Sequence, residues 1–203
     1  MLRRDEWINL NGLWQYAITS RDSSPEAYQG EILVPFPIES ALSGVADTVG
    51  PERRLWYHQE FEVPRSWSDR RVLLHFEAVD WEAQVWLNGQ EIGSHRGGYD
   101  PFAFDITEAL RKGTQQLTVA VWDPTNAGTQ PRGKQVRDPG GIFYTSVTGI
   151  WGTVWIEPVP EVAIEDYSAV PDIDEERVTV IVDAIGTRGD DLVELTALSD
   201  GSV

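Results

Sequence analysis

"VWLNGQEIGSHRGGYDPFAFDIT" (Val85–Thr107) decides how the chain is read. Val85 and Leu87 alternate with Trp86, the period of a strand that buries one face. Asn88-Gly89 follows at once, the residue pair that best tolerates the two positive φ angles of a type I′ hairpin turn. Gly97-Gly98 then marks a place where φ is positive or a side chain would clash. Pro101 stiffens the exit, and Phe102 and Phe104 can wedge a short crossover onto the body of the domain. "DITEALRKG" predicts a helix of about two turns, capped by Asp105 or Thr107 and ended by Gly113. Ile106, Ala109 and Leu110 would form its apolar side.

Outward from this segment the same alternation recurs. "VLLHFEAV" places Val72, Leu74 and Phe76 on one face, and "LTVAVW" does the same with Leu117, Val119 and Val121. "WYHQEFEVP" is a strand stopped by Pro64, and "GTVWIE" sets Val154 and Ile156 against Trp155. Short strands separated by turn residues predict an all-β sandwich of the jelly-roll type. Trp56, Trp151 and Trp155 offer rings on which a sugar could stack, but they fall on strand patterns and are assigned to the core.

Composition shifts near Pro158-Val159-Pro160. All nine tryptophans precede it, and Tyr167 is the only aromatic residue after it. Residues 161–203 hold 12 acids and two arginines, a net charge of -10, while residues 1–160 carry 21 acids and 14 bases, a net of -7. The boundary is therefore placed at 160, with 1–160 one domain and 161–203 the start of another. "VTVIVDA" and "LVELTAL" read as strands of that second unit. Two or three strands cannot bury a core alone, so the alternative is an extension docked on the first domain.

The chain has 203 residues, enough for one domain with a full core and part of a second. Its net charge of -17 argues against nucleic acid and anionic membranes as partners, because both demand a basic face. No apolar run approaches the roughly 20 residues of a membrane span, and the N-terminus lacks an apolar signal core. A cytoplasmic location is expected. The absence of cysteine removes disulfides, thiolate metal sites and thiol nucleophiles together.

No catalytic pattern emerges. There is no Gly-x-Ser-x-Gly elbow, no phosphate-cradling Gly-Lys-Ser/Thr and no His-x-x-x-His pair. His58 and His75 fall within strands and read as structural. Asp172, Asp174, Glu175 and Glu176 lack the glycine and spacing of a calcium loop and read as a solvated turn. Neither a cofactor nor a metal is expected.

Five stretches carry a resemblance. "WINLNGLWQYAI", "ILVPFPIESAL", "LWYHQEFEVP", "VWLNGQEIGSHRGGYDPFAFDIT" and "VTGIWGTVWIEP" occur in this order across residues 7–158. Each resembles a signature of the N-terminal, sugar-binding jelly-roll domain of glycoside hydrolase family 2, the family of β-galactosidases, β-glucuronidases and β-mannosidases. The tail from Glu161 is similar to the first strands of the family's next, immunoglobulin-like domain. The resemblance implies a retaining glycosidase whose two catalytic glutamates sit in a (β/α)₈ barrel. Such a barrel takes about 250 residues, so no catalytic residue is assigned here. The implied partners are a β-linked glycoside, the barrel and the immunoglobulin-like domain of the same protein.

What the resemblance implies for this domain is a rim to the barrel's pocket. One candidate stretch holds Glu52, Arg53 and Arg54, with Glu52 near a position that is a sugar-contacting Asn in some relatives. The position of a sugar-contacting carboxylate in some relatives falls at Gly97, with Asp100 close by as a substitute. The other stretch is the long polar loop with Arg132, Lys134, Gln135 and Asp138. Pro131, Gly133, Pro139, Gly140 and Gly141 predict little local structure from Asn126 to Gly141. The alternative for each charged residue is a solvated surface side chain. Two readings compete with the accessory domain: a free-standing carbohydrate-binding module, and a packing element without sugar affinity.

Overall fold

The computed structural model describes residues 4–197. Backbone proximity divides the chain into two units, one running from Arg4 to Pro158 and one from Val159 onward. The first unit is a β-sandwich. Its strands are β1 (Ile8–Asn9), β2 (Gly12–Ser20), β3 (Gly30–Val34), β4 (Arg53–Glu62), β5 (Arg71–Phe76), β6 (Val79–Asp80), β7 (Glu82–Leu87), β8 (Gln90–Arg96), β9 (Phe102–Asp105), β10 (Thr114–Trp122), β11 (Gly149–Ile150) and β12 (Val154–Val159). One sheet has the order β3-β2-β4-β10-β7-β8 and the other β1-β12-β5-β9, with the short pair β11-β6 beside them.

The alternation read from the sequence is the alternation of the core. Val72, Leu74 and Phe76 of β5 and Val154 and Ile156 of β12 come from one sheet. Leu55, Tyr57, Val85, Leu87, Leu117, Val119 and Val121 come from the other, and all belong to one buried cluster. Each such side chain contributes roughly 1.5–3 kcal/mol through removal from water. Trp56 points to the other face of β4, where it stacks on Trp86 with ring centroids 5.7 Å apart. Trp155 stacks on His75 at 4.7 Å. The ring of His75 also lies 2.9 Å from a Glu157 carboxylate oxygen, a structural role as its strand position implies.

Asn88 and Gly89 adopt φ angles of 54° and 81° and close the β7–β8 hairpin as a type I′ turn. The Asn88 side chain donates to Ala109 O and Gln115 Oε1 and accepts from Gln116 N–H. The helix expected over "DITEALRKG" is instead a single 3₁₀ turn, Thr107–Ala109. Asp105 Oδ1 accepts from Thr107 N–H, while Thr107 Oγ1 accepts from Val72 N–H of β5. These side-chain bonds compete with helical ones. Leu110 is already extended, and Gly113 turns the chain into β10 at a φ of 87°.

The second unit contains the antiparallel hairpin β13 (Ala163–Asp172) and β14 (Arg177–Ile185), closed at Asp172 and Arg177.

Candidate functional site

The end of the sandwich where β6 stops and β8 leaves is built around Asp80, which is only 3 % exposed. Gly98 passes directly over it. A Cβ at Gly98 would sit 2.7 Å from the Asp80 carboxyl carbon, and Gly97 has a φ of 142°. Both glycines of "HRGGYD" are thus required by geometry, one by backbone angle and one by crowding.

The long connection from Asp123 to Thr148 arches over this end and is stapled at its base. Asp123 accepts from Thr125 N–H at 2.6 Å and from the hydroxyl of Thr148 at 3.0 Å. Glu39 accepts from Thr148 N–H and the Ser146 hydroxyl. Midway along, the Gln135 amide bonds three ways. It donates to Asp80 Oδ2 at 3.1 Å and to Tyr99 Oη at 3.2 Å, and it accepts from Val147 N–H at 2.6 Å. Residues 126–141 therefore have more local structure than their glycines and prolines predict. Tyr144 N–H donates to Lys134 O, and Val136 N–H donates to Tyr144 O.

Between this loop and the Gly97–Pro101 segment lies a cleft of about 310 Å³. Tyr99, Trp151 and Tyr144 line it, with Arg132, Lys134 and Gln135. The Trp151 ring meets Tyr99 edge-on at 5.9 Å, and its indole N–H donates to Gly98 O at 2.7 Å. Trp151 is 36 % exposed. Its assignment to the core is corrected here: Gly149 and Gly152 interrupt the strand pattern on either side, and the ring turns outward.

Burial pushes the Asp80 carboxyl up to about 7; the Gln135 hydrogen bond opposes this, while the negative charges of Asp123 and Glu39 add to it. Burial also raises Asp123 and Glu39. The sign of the linkage follows. Between the ordinary aspartate value of 3.8 and about 7, the folded chain holds a proton that the unfolded chain has released. Stability therefore falls as pH rises through that window, and the full penalty is present above it. Asp80→Asn should remove the penalty while retaining an acceptor for Gln135. Relative to the parent chain, the variant should gain on the order of 1–3 kcal/mol between pH 4 and pH 8 in urea unfolding. An effect equal at both pH values would show that Asp80 does not titrate in this way.

Of the residues singled out in the sequence, the structure brings Arg132, Lys134 and Gln135 together in the cleft. Asp100 is exposed beside Gly97, and Asp138 is exposed outside the cleft lining. Arg53 donates to Val49 O and Thr48 O, in a separate cleft of about 230 Å³. Arg54 donates to Gln84 Oε1. Glu52 is exposed, with its backbone oxygen accepting from Arg21 N–H. The sequence reading missed Tyr99, Tyr144 and the buried Asp80, and it placed Trp151 in the core ahead of its alternative as a sugar-stacking ring. The available signal was "GIWG", where glycines on both sides of an aromatic residue break the strand period. Among the described residues no group of His, Cys, Asp and Glu is arranged to hold a metal ion.

Comparison with known proteins gives a consistent picture. The family model described as "Glycosyl hydrolases family 2, sugar binding domain" matches residues 25–154. A beta-galactosidase from Thermoanaerobacter pseudethanolicus is 34% identical over 121 residues, covering 58% of this chain and 15% of the relative. A beta-glucuronidase from Paenibacillus borealis is 31% identical over 134 residues, covering 62% and 22%. Among solved structures, a beta-glucuronidase from an uncultured Clostridium sp. superposes with a TM-score of 0.71 at 27% identity, covering 90% of this chain and 35% of that one. The chain thus spans well under half the length of the proteins it matches.

Proposed function

The chain belongs to glycosyl hydrolases family 2 through that family's sugar binding domain, and from this premise we propose that its cleft forms a non-catalytic rim of a β-glycosidase substrate pocket. The observation that carries the reading is the cleft's composition. Aromatic faces at Tyr99, Tyr144 and Trp151 suit the apolar faces of a sugar ring, and Arg132 and Lys134 suit its hydroxyl or carboxylate oxygens. The cleft lining contains no carboxylate. A retaining glycosidase needs two carboxyl groups about 5 Å apart, and in this reading a family barrel supplies them. The residues from Glu161 begin the immunoglobulin-like domain, and the glycoside is a shared ligand of rim and barrel.

A free-standing carbohydrate-binding module is the second reading. A cleft of about 310 Å³ lies at the small end of ligand pockets, which disfavours tight binding by this surface alone. The test is direct. The 203-residue chain, incubated with nitrophenyl β-galactoside, β-glucuronide and β-mannoside, should release no nitrophenol above a buffer control. Release that co-purifies with the chain and falls when its own carboxylates are substituted would contradict the non-catalytic assignment.

A further inference from the structure

At the other end of the sandwich, where β10 begins at Thr114 rather than where it ends at Trp122, lies a larger groove of about 820 Å³. Val63, Trp67 and Leu110 line it with Arg65, Arg111 and Lys112. Arg70 also borders it, paired with Glu6 and donating to Pro158 O. No carboxylate lines the groove. Among the described residues no acid pairs with Arg65, Arg111 or Lys112. These unpaired cations are concentrated in one place on a chain of net charge -17. The wall that carries two of them is fixed from below. Buried Gln115 accepts from Arg111 N–H and donates to Arg111 O and Gly113 O.

The kind of occupant is limited by the lining. Trp67 is its only aromatic residue and is 4 % exposed, so no ring face is presented for a sugar. Aliphatic surface with a cationic rim suits a polypeptide that offers one apolar side chain among carboxylates. The β13–β14 connection is such a segment. Ile173 is 88 % exposed, and Asp174, Glu175 and Glu176 beside it are exposed as well. Asp172 is occupied in closing the turn, accepting from Glu175 N–H and from Arg177. Three carboxylates around an apolar side chain thus match three unpaired cations around an apolar groove.

We propose that this groove receives the β13–β14 tip of a second copy of the chain, with Ile173 against Val63 and Leu110 and the carboxylates against Arg65, Arg111 and Lys112. The contact joins two different surfaces, so it propagates head to tail. Its charges make it sensitive to salt, since the screening length falls from about 30 Å at 0.01 M to about 3 Å at 1 M.

Sedimentation equilibrium of the full chain should show a mass that rises with protein concentration at low salt and returns to one copy at high salt. Neutralising the groove with Arg111→Ser and Lys112→Ser should abolish self-association. Neutralising the tip with Asp174→Asn and Glu175→Gln should do the same. All four side chains are exposed, so circular dichroism and melting should remain those of the parent. The decisive arm mixes the two variants. One retains an intact tip and the other an intact groove, so the mixture should form a 1:1 dimer that grows no further. A parent chain that stays a single copy at low salt would overturn the proposal. So would association that survives either pair of substitutions, or a mixture that fails to form the dimer.

Discussion

Gly149→Ala is expected to destabilise the sandwich by about 3 kcal/mol or more, among the largest effects a single methyl group can have. Two separate causes act at this position. Gly149 has a φ of 98°, which L side chains rarely adopt. A Cβ there would also lie 2.0 Å from Tyr57 Oη and 3.0 Å from Leu55 Cδ2. Neither neighbour can retreat. Tyr57 and Leu55 are fully buried, and Tyr57 Oη accepts from Ile150 N–H at 3.2 Å. For a domain of this size the melting temperature should drop by roughly 6–12 °C. Gly113→Ala separates the causes. Its φ is 87°, but no heavy atom lies within 4 Å of the added Cβ, so it carries the backbone strain alone. Its cost should stay near 1 kcal/mol. Tyr57→Phe combined with Gly149→Ala should be less damaging than the sum of the two, because the nearest clashing atom is gone. Equal melting shifts for the two glycine variants would show that crowding at Tyr57 is not the cause.

The second large effect concerns function. In a protein that joins this domain to a family 2 barrel, Trp151→Ala should lower kcat/KM by roughly tenfold or more, about 1.4 kcal/mol of transition-state stabilisation. The substitution removes a ring from the cleft and also releases Gly98 O, which the indole N–H holds. The Gly97–Pro101 segment that carries Tyr99 would then lose an anchor. Trp151→Phe keeps an aromatic face without that hydrogen bond and should fall between the two. Lys134→Ala should reduce turnover with little change in melting temperature, since its side chain is exposed. Asp138→Ala, outside the cleft lining, should change neither. Unaltered kcat/KM in both Trp151→Ala and Lys134→Ala would remove the cleft from the substrate site.

The contrast between these two positions shows what a sequence reveals and what it hides. Strands such as β5 and β10 are legible because their inward side chains repeat every second residue. Asn88-Gly89 is legible because a type I′ turn imposes a local demand that few residue pairs meet. The 3₁₀ turn at Thr107 is not, because a bond to Val72, 35 residues away, decides it. The cleft is hidden for the same reason. Gln135 reaches Asp80 across 55 positions and Tyr99 across 36, and neither spacing leaves a pattern along the chain. Arg132, Lys134 and Gln135 were found as polar members of a long loop. Tyr99 is not legible in this way, and Trp151 reads as core before it reads as a sugar-stacking ring, because aromatic residues close to strands look like core until the backbone is seen to turn them outward.

The most direct test of the sugar-rim assignment is a titration of the isotope-labelled chain with methyl β-glucuronide and methyl β-galactoside, followed residue by residue by NMR. Shifts are expected at the Trp151 indole N–H and at the backbone of Tyr99, Lys134 and Gln135. They should saturate with a dissociation constant in the millimolar range, equivalent to about 4 kcal/mol of binding free energy. Shifts that leave these four residues unmoved while others respond, or a micromolar constant, would contradict the assignment.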